Sequence, residues 1–105
     1  PSGDGAAPLR LGDLEVDAQR REARVKGRTR PLAPREFDLL LMLAERKGAV
    51  VSRESIVERF WGLDDGAEVS TRTVDQHVAR LRRKLLTERG RVVTVKKAGY
   101  RLRWD

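Results

Sequence analysis

The sequence predicts an α+β domain: a small antiparallel sheet, then three helices, then a closing β-hairpin. Three observations carry this reading. Apolar and polar residues alternate from Leu9 to Val25. Apolar residues recur at helical spacing in three later stretches. Alternation returns from Tyr100 to Trp104. The 105 residues suit one domain with a modest core. Residues 1–8 (PSGDGAAP) are small residues, Pro, Gly and one Asp, and are expected to form the end of a flexible linker. Residues 9–105 are expected to form the domain.

Within the first part, Leu9 and Leu11, Leu14 and Val16, and Ala23 and Val25 each flank a polar residue, the pattern of strands with one buried face. Asp17 to Arg20 and Lys26 to Arg28 are the turn candidates, and four strands follow. Pro34 to Lys47 is expected to be a helix with Phe37, Leu40, Leu41 and Ala44 on its apolar face, stopped by Gly48. Pro34 suits its first turn. Ala33 stands where a capping Ser or Thr would be expected, a loss of about 0.5–2 kcal/mol unless another group supplies the acceptor. Ser52 to Trp61 is expected to be the second helix, with Ser52 as cap, Ile56 and Phe60 as its apolar pair, and Gly62 closing it. An acidic loop, Leu63 to Val69, follows. The third helix is expected over residues 71–87. Val74, Val78, Leu81 and Leu85 form a narrow buried stripe, and Arg72, Gln76, Ala79, Arg80 and Arg83 fall on the opposite face. Val92 to Val95 and Tyr100 to Trp104 are expected to be strands joined by Lys96, Lys97, Ala98 and Gly99.

Charge placement narrows the function. The net charge is +7, with 39% hydrophobic and 37% charged residues. From Ser70 onward there are eleven Lys or Arg against three Asp or Glu, while Pro1 to Val69 holds twelve against thirteen. All the excess positive charge therefore sits in the last third, which suggests a polyanionic partner. No apolar run approaches the roughly 20 residues of a membrane helix, so no membrane role is expected. The chain has no cysteine, which excludes disulfides and thiolate metal sites and fits a cytoplasmic location.

Two helices joined by a loop, the second of them basic, followed by a cationic hairpin, make a helix-turn-helix plan with a C-terminal wing. A helix of this kind fits the major groove of B-DNA. Arginines serve guanine edges and phosphates, Gln76 can pair with adenine or touch a thymine methyl, and Ala79 leaves room for close approach. The helix alone fits a solvated amphipathic surface equally well. The hairpin tips the balance, because a tip with Lys96 and Lys97 can enter a minor groove, whose potential attracts cations.

Four segments resemble the effector domains of OmpR/PhoB-type response regulators. They are Leu32–Leu40 (LAPREFDLL), Val51–Glu54 with Phe60–Gly62, Arg72–Leu85 (RTVDQHVARLRRKL) and Val95–Arg101 (VKKAGYR). The resemblance covers Leu9 to Trp104. It implies a winged helix-turn-helix behind an N-terminal four-stranded sheet, and a sequence-specific transcription regulator of a two-component system. It implies binding to double-stranded promoter DNA as a tandem dimer on direct repeats about one helical turn apart. It implies that helix 71–87 enters the major groove and that wing 92–104 lies at the minor groove. Arg72, Asp75, Gln76, His77, Arg80 and Arg82 would face bases or phosphates, Thr94 would touch the backbone, and Lys96 would be the minor-groove residue. Arg83, Lys97 and Arg101 complete the DNA-binding set. Loop 63–69 would match the segment that touches RNA polymerase in some relatives. A receiver domain would precede this chain in a longer regulator. Ala33 departs from the usual Thr, Ala79 removes a cation some relatives use, and Lys96 and Lys97 stand where Arg and Gly are common. Lysine lacks arginine's planar contacts, which weakens any minor-groove preference.

No catalytic, metal or cofactor site is expected. His77 is the only histidine, and no nucleophile with a partner base is visible. His77 flanks the buried stripe, which favours a phosphate or backbone hydrogen bond. Asp75 is better suited to orienting an arginine or favouring the helix N-terminus than to reading a base. Trp61 and Trp104 read as core or rim residues, not stacking platforms. Two alternatives remain open: a non-specific nucleic-acid-binding winged helix, and a protein-interaction one.

Overall fold

The computed structural model describes residues 8–62 and 70–104. Four strands open it: β1 (Leu9–Leu11), β2 (Leu14–Asp17), β3 (Glu22–Val25) and β4 (Arg28–Arg30). Three helices follow: α1 (Pro34–Glu45), α2 (Arg53–Trp61) and α3 (Thr71–Lys84). A 3-10 turn (Leu86–Arg91) then leads into strands β5 (Val92–Val95) and β6 (Gly99–Leu102). The expected linker lies outside the described residues except for Pro8, and the expected polymerase-contact loop 63–69 lies wholly outside them.

The first sheet is an antiparallel meander in the order β1-β2-β3-β4. Its register follows from the alternation. Leu14 faces Val25 and Val16 faces Ala23 on the buried side, while Glu15 faces Arg24 on the other. That outer face is tied by Arg24, which meets Glu15 at 2.6 Å and Glu22 at 3.0 Å. Lys26 and Gly27, at φ 53° and 80°, make the two-residue turn between β3 and β4. A turn with both central residues in the left-handed region matches the twist of the flanking strands.

Helix α1 packs against α3 and β6. Its burial is broader than the expected stripe. Phe37, Leu40 and Ala44 are buried, but so are Leu39, Met42 and Leu43, while Leu41 is half-buried. The helix sits centrally, so more than one face meets protein. It ends at Glu45, two residues before the expected Lys47. Lys47 turns into the left-handed region at φ 53° and Gly48 follows at 95°. At its start, Glu36 reaches back and accepts a 2.8 Å hydrogen bond from the Ala33 N–H. This is half of a capping box. The other half, an acceptor on residue 33, is what the alanine lacks. Ser52 caps α2 as expected, its hydroxyl accepting from the Ser55 N–H at 3.0 Å.

Helix α3 buries Val74, Val78 and Leu81 completely, and Leu85 just beyond it is equally buried. The expected extension to residue 87 is incorrect. Leu86 enters the left-handed region at φ 55°, and the chain reverses through the 3-10 turn. The reversal brings Val92 into the core at the start of the wing. The second wing strand likewise ends at Leu102, short of the expected Trp104. Gly99 is required at the wing's return. It holds φ 140°, and a Cβ there would lie 2.1 Å from the Val51 carbonyl oxygen. That close approach permits a two-way bridge between Val51 and Tyr100, at 2.8 and 2.9 Å, which stitches the wing to the segment between α1 and α2.

Candidate nucleic-acid interface

The stripe that buries α3 determines what it shows. Arg72, Gln76, Ala79, Arg80 and Arg83 are the exposed residues of this helix, the same five that helical spacing places opposite the stripe. A second cationic point stands at the wing tip. Lys96, Lys97 and Ala98 are exposed, with Lys97 held at φ 65° and the turn closed by Ala98 N–H donating to Val95 O at 2.9 Å. Thr94 is exposed on β5.

The remaining expected site residues are held within the protein. Asp75 is the acceptor at the centre of a cluster. Its Oδ1 accepts from Tyr100 OH at 2.5 Å and from Arg53 Nε at 2.8 Å. The Arg53 guanidinium also lies 4.9 Å over the Tyr100 ring. Burial alone would raise the Asp75 pKa, but the hydrogen bonds from Tyr100 and Arg53 and the nearby charges of Arg53 and Arg72 outweigh it and hold the carboxyl below its ordinary range. Tyr100 is shifted the other way, raised first by burial and then by its bond to Asp75. Asp75 therefore orients an arginine in this structure. Arg53 carries no distinctive signal in the sequence. Its place follows from Ser52 capping α2, which sets Arg53 on the first turn, beside α3.

Arg82 spans from α3 to the wing. Its Nε and Nη2 donate to Val92 O at 2.9 and 2.7 Å, and Nη2 also donates to Thr94 Oγ1 at 2.6 Å. Its guanidinium stands 5.6 Å over the Tyr100 ring. Arg101 donates from Nε to Gly48 O at 2.9 Å. His77 Nδ1 lies 2.8 Å from Thr73 O, the backbone alternative of its two expected bonds, and its ring meets Trp61 edge-on at 5.4 Å. A donor meeting a carbonyl places the proton on Nδ1. Trp61 and Trp104 are half-buried against the core.

Helix, wing and the start of α2 thus share one hydrogen-bonded seam, with five α3 side chains and a cationic tip facing outward. Among the described residues no group of three or more His, Cys, Asp or Glu could hold a metal ion, and no helix is long and apolar enough to cross a membrane.

Comparison with known proteins places this arrangement. The family model described as "Transcriptional regulatory protein, C terminal" matches residues 27–102. The transcriptional regulatory protein CseB of Streptomyces avermitilis is 39% identical over 107 residues, covering 98% of this chain and 44% of that protein. PrrA of Mycobacterium tuberculosis is 49% identical over 77 residues, covering 73% of this chain and 32% of its own length. The chain thus spans less than half the length of these relatives. Among solved structures, the DNA-binding domain of Klebsiella pneumoniae RstA, in complex with RstA box, superposes with a TM-score of 0.79. It is 31% identical and covers 95% of this chain and 100% of its own. DrrB of Thermotoga maritima, described as an OmpR/PhoB homolog, gives 0.80 at 34% identity, over 91% of this chain and 44% of its own. With its four-stranded sheet, three helices and wing, the chain belongs to the family of transcriptional regulatory protein C-terminal domains, the effector domains of OmpR/PhoB-type response regulators.

Proposed function

We propose that this chain binds double-stranded promoter DNA sequence-specifically, as the effector domain of a two-component regulator. The observation that carries the reading is the exposed face of α3. Three arginines, Gln76 and Ala79 are the side chains this helix leaves in solvent. In this reading α3 lies in the major groove, with Gln76 reading a base edge and the arginines serving guanines or phosphates. Lys96 and Lys97 approach the minor groove, and Thr94 lies at the backbone. Asp75 and Arg82 serve DNA indirectly, by tying α3 to the wing, and Arg101 by tying the wing to Gly48 beyond α1. In this reading His77, beside Trp61 at the helix flank and bonded through Nδ1 to Thr73 O, would meet a backbone phosphate. The solved complex of RstA with its box supports the DNA partner by analogy. The family assignment supports a tandem pair on direct repeats in the cytoplasm, a preceding receiver domain, and RNA polymerase contact through residues 63–69.

A competition titration tests this. A promoter site selected from random duplexes should outcompete unrelated duplex and RNA. Gln76→Ala should mainly change preference at one base pair, by about 1–3 kcal/mol, whereas Arg80→Ala should weaken binding to many sequences alike. Equal competition by unrelated duplex would sink the sequence-specific reading. Uniform losses for both variants would contradict the groove assignment.

A further inference from the structure

Leu86 is 48% exposed, one of two large exposed apolar side chains among the described residues. It is also held at φ 55°, a conformation that strains an L side chain and that glycine adopts freely. Two grooves flank it, one of about 470 Å3 toward the β3–β4 turn and one of about 490 Å3 toward the end of α3. Lys26, Arg28 and Arg30 line the first, and Arg83 and Arg89 line the second. No carboxylate lines either groove among the described residues. Only Arg30 is engaged, donating to Lys84 O at 2.8 Å. The other four cations have no ion-pair partner among the described residues.

We propose that this surface docks an acidic peptide segment of a protein partner, with one apolar side chain seated on Leu86. The cations select the sign of the partner. The leucine selects its kind, because a nucleic-acid backbone gains nothing from an apolar centre while an apolar side chain buries area there. Arg83 is shared with the exposed face of α3, but Leu86, Lys26, Arg28, Arg30 and Arg89 lie outside the side chains assigned to DNA, so the proposal does not rest on the DNA-binding reading.

The test is a fluorescence-anisotropy titration of the chain with a short labelled peptide of glutamates and aspartates around a central leucine, and a control peptide with serine at the centre. The leucine peptide should bind about tenfold more tightly than the control. Leu86→Gly should abolish that preference while raising the unfolding temperature, since it removes both the anchor and the strained φ. A purely structural role for Leu86 would lower stability instead. Arg28→Glu combined with Arg89→Glu should weaken binding of both peptides. Equal binding of the two peptides to the parent chain overturns the proposal, as does a leucine preference that survives Leu86→Gly. Loss of duplex affinity in the charge-reversed variant, without any leucine preference in the parent, identifies the patch as nucleic-acid surface and equally overturns it.

Discussion

Asp75 shows how a charge on a basic, solvent-facing helix can serve the protein first. One oxygen receives both the Tyr100 hydroxyl and the Arg53 guanidinium. The carboxylate thus joins three elements whose sequence positions are far apart. Helical spacing places Asp75 near the exposed face, and its acidity argues against base reading, but nothing local points to Tyr100, because the wing returns to α3 only through the fold. The same holds for Arg82. Its position among three consecutive cations gives no sign that it turns inward to Val92 and Thr94 while Arg83 stays out. Tyr100→Phe isolates the contact, since it keeps the ring beneath both guanidiniums and removes only the hydroxyl. It should cost about 1 kcal/mol, below the roughly 1.5–3 kcal/mol of a shielded hydrogen bond to a charged group, because the Asp75 side chain is 45% exposed. The Asp75 pKa should also rise toward 3.8, its ordinary value. Carboxylate NMR titration of the two proteins reads this directly. An Asp75 midpoint indifferent to the change would show that the hydroxyl does not hold it.

At the scale of elements, the sequence shows most clearly what periodicity controls. The alternation of Leu14, Val16, Ala23 and Val25 sets the sheet's register, and the stripe Val74, Val78, Leu81, Leu85 sets the orientation of α3. Helix ends are less legible, because they depend on where the chain must turn. Leu86 breaks α3 in a left-handed conformation that its residue type does not announce. The joints between elements are least legible. Glu36 in α1 is 3% exposed and meets Lys84 of α3 at 2.7 Å, while Lys84 O accepts from Arg30 of β4. Burial raises the pKa of Glu36, yet the Lys84 ammonium, the Ala33 N–H and the charge of Arg80 outweigh it, so the net shift is downward. A carboxyl whose folded pKa lies below its unfolded value contributes stability above about 4.5, and that contribution fades as pH falls through the folded pKa. Thermal unfolding measured down the acid range should therefore show a declining limb below 4.5 that Glu36→Gln reduces. An acid limb of the same size in the variant would place the responsible group elsewhere.

For the whole molecule, the distribution of charge makes a quantitative claim about binding. Folding withdraws Arg82 and Arg101 into hydrogen bonds and leaves Arg72, Arg80, Arg83, Lys96 and Lys97 exposed on the helix and wing. Each phosphate neutralised releases counterions and contributes about −0.9 to the slope of log affinity on log salt. One phosphate for each of these five cations gives a slope of roughly −4 to −5. Lys97 separates the wing's share from its structural role. At φ 65° it occupies the left-handed region, where a side chain strains the backbone and glycine does not. Lys97→Gly should therefore do two opposite things. It should stabilise the fold by about 1 kcal/mol or less, since relief of strain is partly offset by the freer unfolded chain. It should also flatten the salt slope by about 0.9 while weakening duplex binding at low salt. Unfolding midpoints and duplex titrations across a salt series measure both. A steeper fall in affinity with no change in slope would mean that Lys97 acts through the shape of the wing. An unchanged affinity would place the tip away from DNA and leave α3 to carry recognition alone.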